Sequence, residues 1–304
     1  MEIITNTLDE LIDIPPNYFV FDIETTGLNH NYCKVILIGI LFNQDNKTVI
    51  KQFFISNPEN EKDLLLSFID NIKYYKKHIT FNGLTFDIPF LNSRFKKHNI
   101  DFSLSKNDDM DILKLIRPFK EKLSLSDCKL KTIEKYLGIH REDTISGKES
   151  VELYNKYVSE KDLDLKQKIL LHNYEDIYYL GKMFKIKNIL RDQLNLLSIN
   201  INDEILDLVP MSYRISHDTL NIKYDIFDGN IFNIDIYKDS YTISSDSDKI
   251  YLSVNLDKGR DSNNNVILFY NMSKIIPLKF NQTPLEDNIY SLCNYLIKKE
   301  LKLL

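Results

Sequence analysis

Apolar and polar positions change rhythm twice along this chain. Tyr18–Glu24 (YFVFDIE) is a short apolar run ending in two carboxylates; it reads as a buried strand, followed by a turn, Thr25–Asn31, around Gly27. Val35–Phe42 and Thr48–Ile55 are β-branched and aromatic, with Asn43–Lys47 as a polar hairpin loop between them. Three consecutive strands with short links predict an antiparallel meander. The period then lengthens: Leu64, Leu65, Phe68, Ile69 and Ile72 predict a helix over Glu59–Tyr75. His78–Phe81 reads as a brief strand, Asp87–His98 as a helix with Pro89 in its first turn, and Asp109–Ile112 as a candidate strand. Ser126–Leu137 is amphipathic through Leu130, Ile133 and Leu137 and closes on Gly138. Asp162–Leu190 predicts one long helix or two joined ones, carrying Ile169, Leu170, Ile177, Leu180 and Phe184.

Beyond Asp192 the texture turns to alternation. Thr219–Phe227 and Ile231–Tyr237 flank Asp228-Gly229, a strong hairpin signal. Tyr241–Ser245, Ile250–Leu256 and Val266–Tyr270 read as further strands, Asp257–Asn265 as a polar loop and Leu285–Leu301 as a closing helix. The expected organisation is therefore a larger α/β domain over residues 1–192 and a small β-rich module over 193–304. The module carries no catalytic motif, and the chain shows no internal repeat.

Composition narrows the function without naming it. Net charge is −5, of which residues 193–304 carry −4 (11 Lys/Arg against 15 Asp/Glu) and residues 1–192 only −1 (28 against 29). A protein gripping long duplexes by phosphate neutralisation is normally basic, so nucleic-acid contact here is expected to be local, with metal ions supplying positive charge. Cys33, Cys128 and Cys293 are odd in number and far apart, which argues for reduced thiols rather than a disulfide framework or a zinc site. The first twenty residues lack a basic and apolar leader pattern, and apolar runs such as Val35–Phe42 are far short of a membrane span; a cytoplasmic protein is expected.

Three acidic segments carry the chemistry. Asp22-Ile-Glu24 ends a strand, so both carboxylates point to one face; there they repel each other, and a cation between them relieves the repulsion. Taken alone, the pair also reads as solvated strand-end charges. In FNGLTFDIPFL a strand leaves through Asn82-Gly83 and Asp87 opens a helix, where an N-cap is the simpler reading. In HNYED, His172 and Asp176 stand one turn apart on one helix face, which is also an ordinary surface pair. Together, Asp22, Glu24, Asp87 and Asp176 describe one acidic pocket suited to two divalent cations, Mg²⁺ or Mn²⁺. The basic clusters Lys73–His78, Arg94–His98 and Lys182–Arg191 are candidate phosphate paths or plain solvated faces. Aromatic residues of the C-terminal strands are candidates for base stacking or for core packing.

FDIETTGL, FNGLTFDIPFL and HNYED resemble, in order, the three exonuclease motifs of the DEDD superfamily. KLKTIEKYLGI (Lys129–Ile139) and SGKESVELYNKY (Ser146–Tyr157) are similar to the YprB-like ribonuclease H-like domain. The middle motif also resembles that of proofreading family B DNA polymerases. The resemblance covers about Asn17–Lys187 and implies a ribonuclease H-like mixed sheet flanked by helices. It further implies two-metal phosphodiester hydrolysis from single-stranded 3′ ends of DNA or RNA. By that resemblance Asp22 bridges both metals, Glu24 and Asp176 complete the ion that activates water, and Asp87 supports the other. His172 orients or deprotonates the water, and Thr25 and Leu28 meet the terminal nucleotide. His172 departs from the pattern: at this spacing the superfamily usually places Tyr, and Tyr174 is too close along the helix to take that place. Asp111, in MDIL, is either outer support for the site or a strand-end turn residue. The rival readings are a catalytically silent nucleic-acid-binding module and a scaffold whose C-terminal module recruits a protein partner.

Overall fold

A computed structural model describes residues 1–201, 204–229, 233–246 and 248–302. The chain divides into two compact units, Met1–Asn188 and Ile189–Leu304. The first is built on a mixed six-stranded sheet in the order β1-β4-β3-β2-β5-β6. Its strands are β1 (Glu2–Leu8), β2 (Tyr18–Thr25), β3 (Val35–Gln44), β4 (Lys47–Phe54), β5 (Lys77–Thr80) and β6 (Asp109–Asp111). The β2-β3-β4 meander forms as its three apolar runs with short links predict, while β5 and β6 add in parallel. The edge strand β1, which the pattern did not predict, pairs antiparallel with β4. Its burial explains the miss: most of its residues are exposed, so no apolar alternation marks it.

Helices flank this sheet. They are α1 (Glu61–Ile72), α2 (Asp87–Lys97), α3 (Ile112–Ile116), α4 (Leu130–Tyr136), α5 (Gly147–Glu160) and α6 (Leu163–Lys182). Asp162 caps α6, and a 3₁₀ turn at Met183–Lys185 joins it to α7 (Ile186–Gln193), so the long C-terminal pattern resolves into two joined helices. The helix expected over Ser126–Leu137 shortens to α4. Helix α5, identifiable from its Ser146–Glu149 capping box, adds Tyr154 and Tyr157 to the core.

Charged groups are buried in this unit, and one of them joins three elements. Glu61, the first residue of α1, is fully buried and accepts from Val35 N at 2.8 Å, Arg94 Nε at 2.8 Å, Arg94 Nη2 at 2.5 Å and His98 Nε2 at 2.7 Å. One carboxylate thus ties α1 and α2 to the start of β3, and its many donors hold it below the usual carboxylate range despite burial.

The second unit holds β7 (Leu197–Ile201), β8 (Glu204–Ser216), β9 (Thr219–Asp228), β10 (Asp235–Tyr237), β11 (Tyr241–Ser245) and β12 (Lys249–Asn255). These form an antiparallel sheet in the order β10-β11-β12-β9-β8-β7. A smaller sheet comprises β13 (Asp257–Arg260), β14 (Val266–Asn271), β15 (Ile275–Phe280) and β16 (Thr283–Pro284), and helix α8 (Glu286–Leu301) packs into the same core. The hairpin expected at Asp228-Gly229 is not formed: β9 lies between β8 and β12, and β10 pairs with β11. Of the expected strand Ile231–Tyr237, residues 231 and 232 lie outside the described residues. The true partner of β9 is β8, reached through His217, whose φ of 56° makes the turn. Pro210 and a bulge interrupt the alternation of β8 and hide it from the pattern. Part of the expected loop Asp257–Asn265 is strand β13. The aromatics Tyr224, Tyr241 and Tyr270 fill this core. All three cysteines are free, and no described helix is long and apolar enough to cross a membrane.

Removing Arg94 leaves Glu61 as a buried charge without its main partner. Arg94→Ala is therefore expected to cost about 3–5 kcal/mol in urea denaturation. A cost below ~1 kcal/mol would show that the pair does not hold the helices together.

Candidate metal centre

The carboxylates gather because three elements meet at one end of β2. Asp22 and Glu24 share a face of that strand, and a bulge between Glu24 and Thr25 ends its regular pairing with β3. Strand β5 runs beside β2 only from Tyr18 to Val20, so the edge of β2 is free beyond it. Asp87 enters there, its Oδ1 accepting from Ile23 N at 3.3 Å. Phe86, not Asp87, occupies the cap position of α2, which corrects the simple capping reading.

Helix α6 closes the site from above the sheet. Asp22, Gly39 and Gln52 are register partners across β2, β3 and β4. Asn173 sits on that row: its Nδ2 donates to Asp22 Oδ2 at 3.0 Å and its Oδ1 accepts from Gln52 Nε2 at 3.0 Å. A Cβ at position 39 would lie 2.2 Å from Asn173 Oδ1, so glycine is what lets the helix approach. His172 and Asp176 follow on the flank of α6 that faces Glu24. His172 Nε2 lies 3.6 Å from Glu24 Oε1 and 3.7 Å from Asp176 Oδ2. Donor atoms of Glu24, His172 and Asp176 all fall within 4.8 Å of one another, a grouping that could hold a metal ion.

A second layer, not anticipated from the sequence, surrounds this group. Glu175 accepts from the backbone N–H groups of Glu142 and Asp143 at 3.1 and 2.8 Å, fixing the loop between α4 and α5 against α6. That loop delivers Arg141, whose guanidinium bonds Asp176 Oδ1 and, at 2.6 Å, Glu134 Oε1. It also delivers Asp143, whose Oδ2 lies 2.8 Å from His172 Nδ1 and 3.0 Å from Lys131 Nζ. Four residues of HNYED thus serve the group, His172, Asn173, Glu175 and Asp176, whereas Tyr174 points elsewhere and stacks on Tyr178 with ring centroids 6.0 Å apart. The signal that could have found the layer was KLKTIEKYLGI with the following loop, rich in side chains able to pair with carboxylates.

Electrostatics reflects the crowding. Burial, then the charges of Asp176, Asp87 and Glu24, push the Asp22 carboxyl well above the usual range, against the Asn173 hydrogen bond. Burial raises Glu24 to about 7, opposed by His172 and reinforced by Asp176. Burial likewise raises Asp87 to about 7, with Asp109 and Asp111 adding to it. Burial alone would lower His172, but Asp176, Glu24 and Asp143 outweigh it and hold the imidazole above its ordinary value.

The remaining expected residues fall less centrally. Thr25 is buried, and its hydroxyl donates to Gly27 O at 2.7 Å, shaping the turn that leaves Leu28 84% exposed. Asp111 is a helix cap: it accepts from Leu113 N and Lys114 N and also from Asn82 N and Leu84 N, bracing the turn before Asp87. Several members of the basic clusters are buried or paired, while Lys77, Lys96 and Lys97 are exposed. Arg94 and His78 are buried, Lys182 is paired with Glu10, Lys185 with Asp13, and Arg191 with Asp207 and Asp228.

This geometry is that of a ribonuclease H-like nuclease-type fold. The RNase H superfamily model matches residues 19–188, and the chain belongs to that superfamily. Among its relatives, the uncharacterized protein YprB of Bacillus subtilis (strain 168) is 29% identical over 172 residues, which is 55% of this chain and 41% of YprB. The uncharacterized protein MJ0365 of Methanocaldococcus jannaschii is 30% identical over 171 residues, 55% of this chain and 93% of MJ0365. A PolC-type DNA polymerase III of Ureaplasma parvum serovar 3 is 30% identical over 155 residues, 42% of this chain but 10% of the polymerase. The chain therefore spans less than half the length of YprB and a small part of the polymerase.

Glu24 and Asp87 release protons near 7 when folded but near 4.5 and 3.8 when exposed. The unfolded chain ionises first as pH rises, so both carboxyls erode stability between about pH 4 and 7 and add no further change above it. His172, raised from 6.5, loses its stabilising contribution in the same direction as pH passes its folded value. In chelator, the urea midpoint is expected to fall from about pH 5 to 7.5, and Asp22→Asn with Glu24→Gln should remove most of that fall; an unchanged slope contradicts the repulsion. Thermal unfolding of Asp22→Ala should likewise stay level or rise. Gly39→Ala should push Asn173 off Asp22 and cost about 1–3 kcal/mol through overpacking, read as a lower urea midpoint; full stability would mean α6 is not seated by this contact.

Proposed function

We propose that the protein is a cytoplasmic, metal-dependent 3′–5′ exonuclease that hydrolyses phosphodiester bonds at single-stranded DNA or RNA ends. The activity is assigned to the N-terminal domain, residues 1–192, with residues 193–304 as a separate module. The observation that carries this reading is the convergence of Asp22, Glu24, Asp87 and Asp176 from three distant segments, close enough for Asp22 to respond to the other three. Superfamily membership supports a nuclease, and similarity to a DNA polymerase supports a nucleic-acid substrate. Polarity and end preference rest on the motif resemblance.

The donor set fits two divalent cations, Mg²⁺ or Mn²⁺. Asp22 would be shared, Glu24 and Asp176 would hold one ion and Asp87 the other. When bound, such a pair supplies charge stabilisation at the attacking and leaving oxygens of a phosphodiester. The protein's own part is positional. Asn173 fixes the rotamer of Asp22, Ile23 N orients Asp87, and the Glu175-anchored loop sets the outer boundary of the site. Leu28, held forward by the Thr25 turn, offers an apolar face to a terminal base.

One observation favours a second reading, a catalytically silent nucleic-acid-binding module. Arg141 already neutralises Asp176, as a bound cation would. Turnover separates the two. With Mn²⁺, the full chain is expected to shorten a single-stranded oligonucleotide labelled at its 5′ end stepwise from the 3′ end. Asp22→Ala should reduce the rate by more than about 100-fold while binding persists, since losing a shared ligand exceeds the loss of an outer partner. Binding with no shortening under Mg²⁺ or Mn²⁺ would favour the silent module instead.

A further inference from the structure

His172 is 5% exposed and makes one hydrogen bond through its ring, from Nδ1 to Asp143 Oδ2. Asp143 is itself immobilised: its Oδ1 accepts from Ile145 N at 3.0 Å, and Lys131 Nζ lies 3.0 Å from its Oδ2. With Nδ1 committed as the donor, the other ring nitrogen is left to present a lone pair once it is deprotonated. That nitrogen, Nε2, points between Glu24 Oε1 at 3.6 Å and Asp176 Oδ2 at 3.7 Å, both beyond hydrogen-bond length. Two donors on one ion at ~2.1 Å stand about 3.0 Å apart at right angles and about 4.2 Å apart when opposed, and the observed spacings fall between these limits. Arg141 occupies Oδ1 of Asp176, which leaves Oδ2, the oxygen nearer His172, available to the same ion.

We propose that His172 is a ligand of the cation held by Glu24 and Asp176, with Asp143 as the outer carboxylate that orients its imidazole. This deepens the nuclease reading above, and it replaces the water-activating role that the motif resemblance implies for His172. A carboxylate behind a ligating histidine fixes its tautomer and raises its basicity. It also gives the departure in the third motif a role: a neutral imidazole at the Tyr spacing ligates through its nitrogen lone pair, whereas a phenol there would first have to lose a proton of pKa about 10. One nitrogen among oxygen donors moves the site's preference away from Mg²⁺, which favours an all-oxygen shell, toward transition metals.

The test is pulsed electron paramagnetic resonance on the full chain loaded with Mn²⁺, without nucleic acid. Wild type is expected to show a directly coordinated ¹⁴N that disappears in His172→Gln. As a second arm, independent of how His172→Gln folds, Asp143→Asn should weaken Mn²⁺ binding by about 10–100-fold and Mg²⁺ binding much less. A bound Mn²⁺ with oxygen ligands alone, or a ¹⁴N signal that survives His172→Gln, would overturn the ligand assignment while leaving the nuclease reading intact. A retained ¹⁴N signal without turnover on any oligonucleotide would do the reverse, and an absence of bound Mn²⁺ would overturn both.

Discussion

Like charges buried side by side repel, and the N-terminal unit brings its carboxylates together against that repulsion. Asp22 is pushed upward by burial and by Asp176, Asp87 and Glu24, each from a different part of the fold except its strand neighbour. Nothing in the local sequence of β2, α2 or α6 requires them to meet. The packing that imposes the meeting is the seating of α6 on the sheet through Asn173, Gln52 and a side-chain-free Gly39. A small set of neutral hydrogen bonds thus holds a strongly repulsive group in place.

The protein meets part of the charge problem with its own cations. Arg141 bonds Asp176 and Glu134, Lys131 approaches Asp143, and His172 stands between three carboxylates. These cations sit on α4, on α6 and on the α4–α5 loop, whereas Asp22 accepts from an amide and Asp87 from a backbone N–H. The uncompensated charge therefore lies toward β2 and α2. Net charge over residues 1–192 is near neutral, so the whole unit provides little long-range attraction for a polyanion.

Legibility followed the physics of each signal. The meander was readable because β2, β3 and β4 are apolar runs buried on both faces, and the long helices because their apolar residues recur at helical spacing. Strand β1 was not, being mostly exposed, nor was β8, interrupted by Pro210. The Asp228-Gly229 signal misled because turn chemistry is local, while the choice of β8 over β10 as the partner of β9 is made by the sheet as a whole. At the site, the motif acids were readable as a set, and the structure brings Glu24 and Asp176 together with His172. Glu134, Arg141 and Asp143 stand in or just after KLKTIEKYLGI, but their roles were not readable, because they reach the site through tertiary contacts with no fixed spacing to the motifs.

The most direct measurement is the anomalous scattering of Mn²⁺ in crystals of the full chain. The account predicts two peaks enclosed by Asp22, Glu24, Asp87 and Asp176, with Asp22 touching both. Density without a peak at that position, from crystals that hold Mn²⁺ elsewhere, would contradict it.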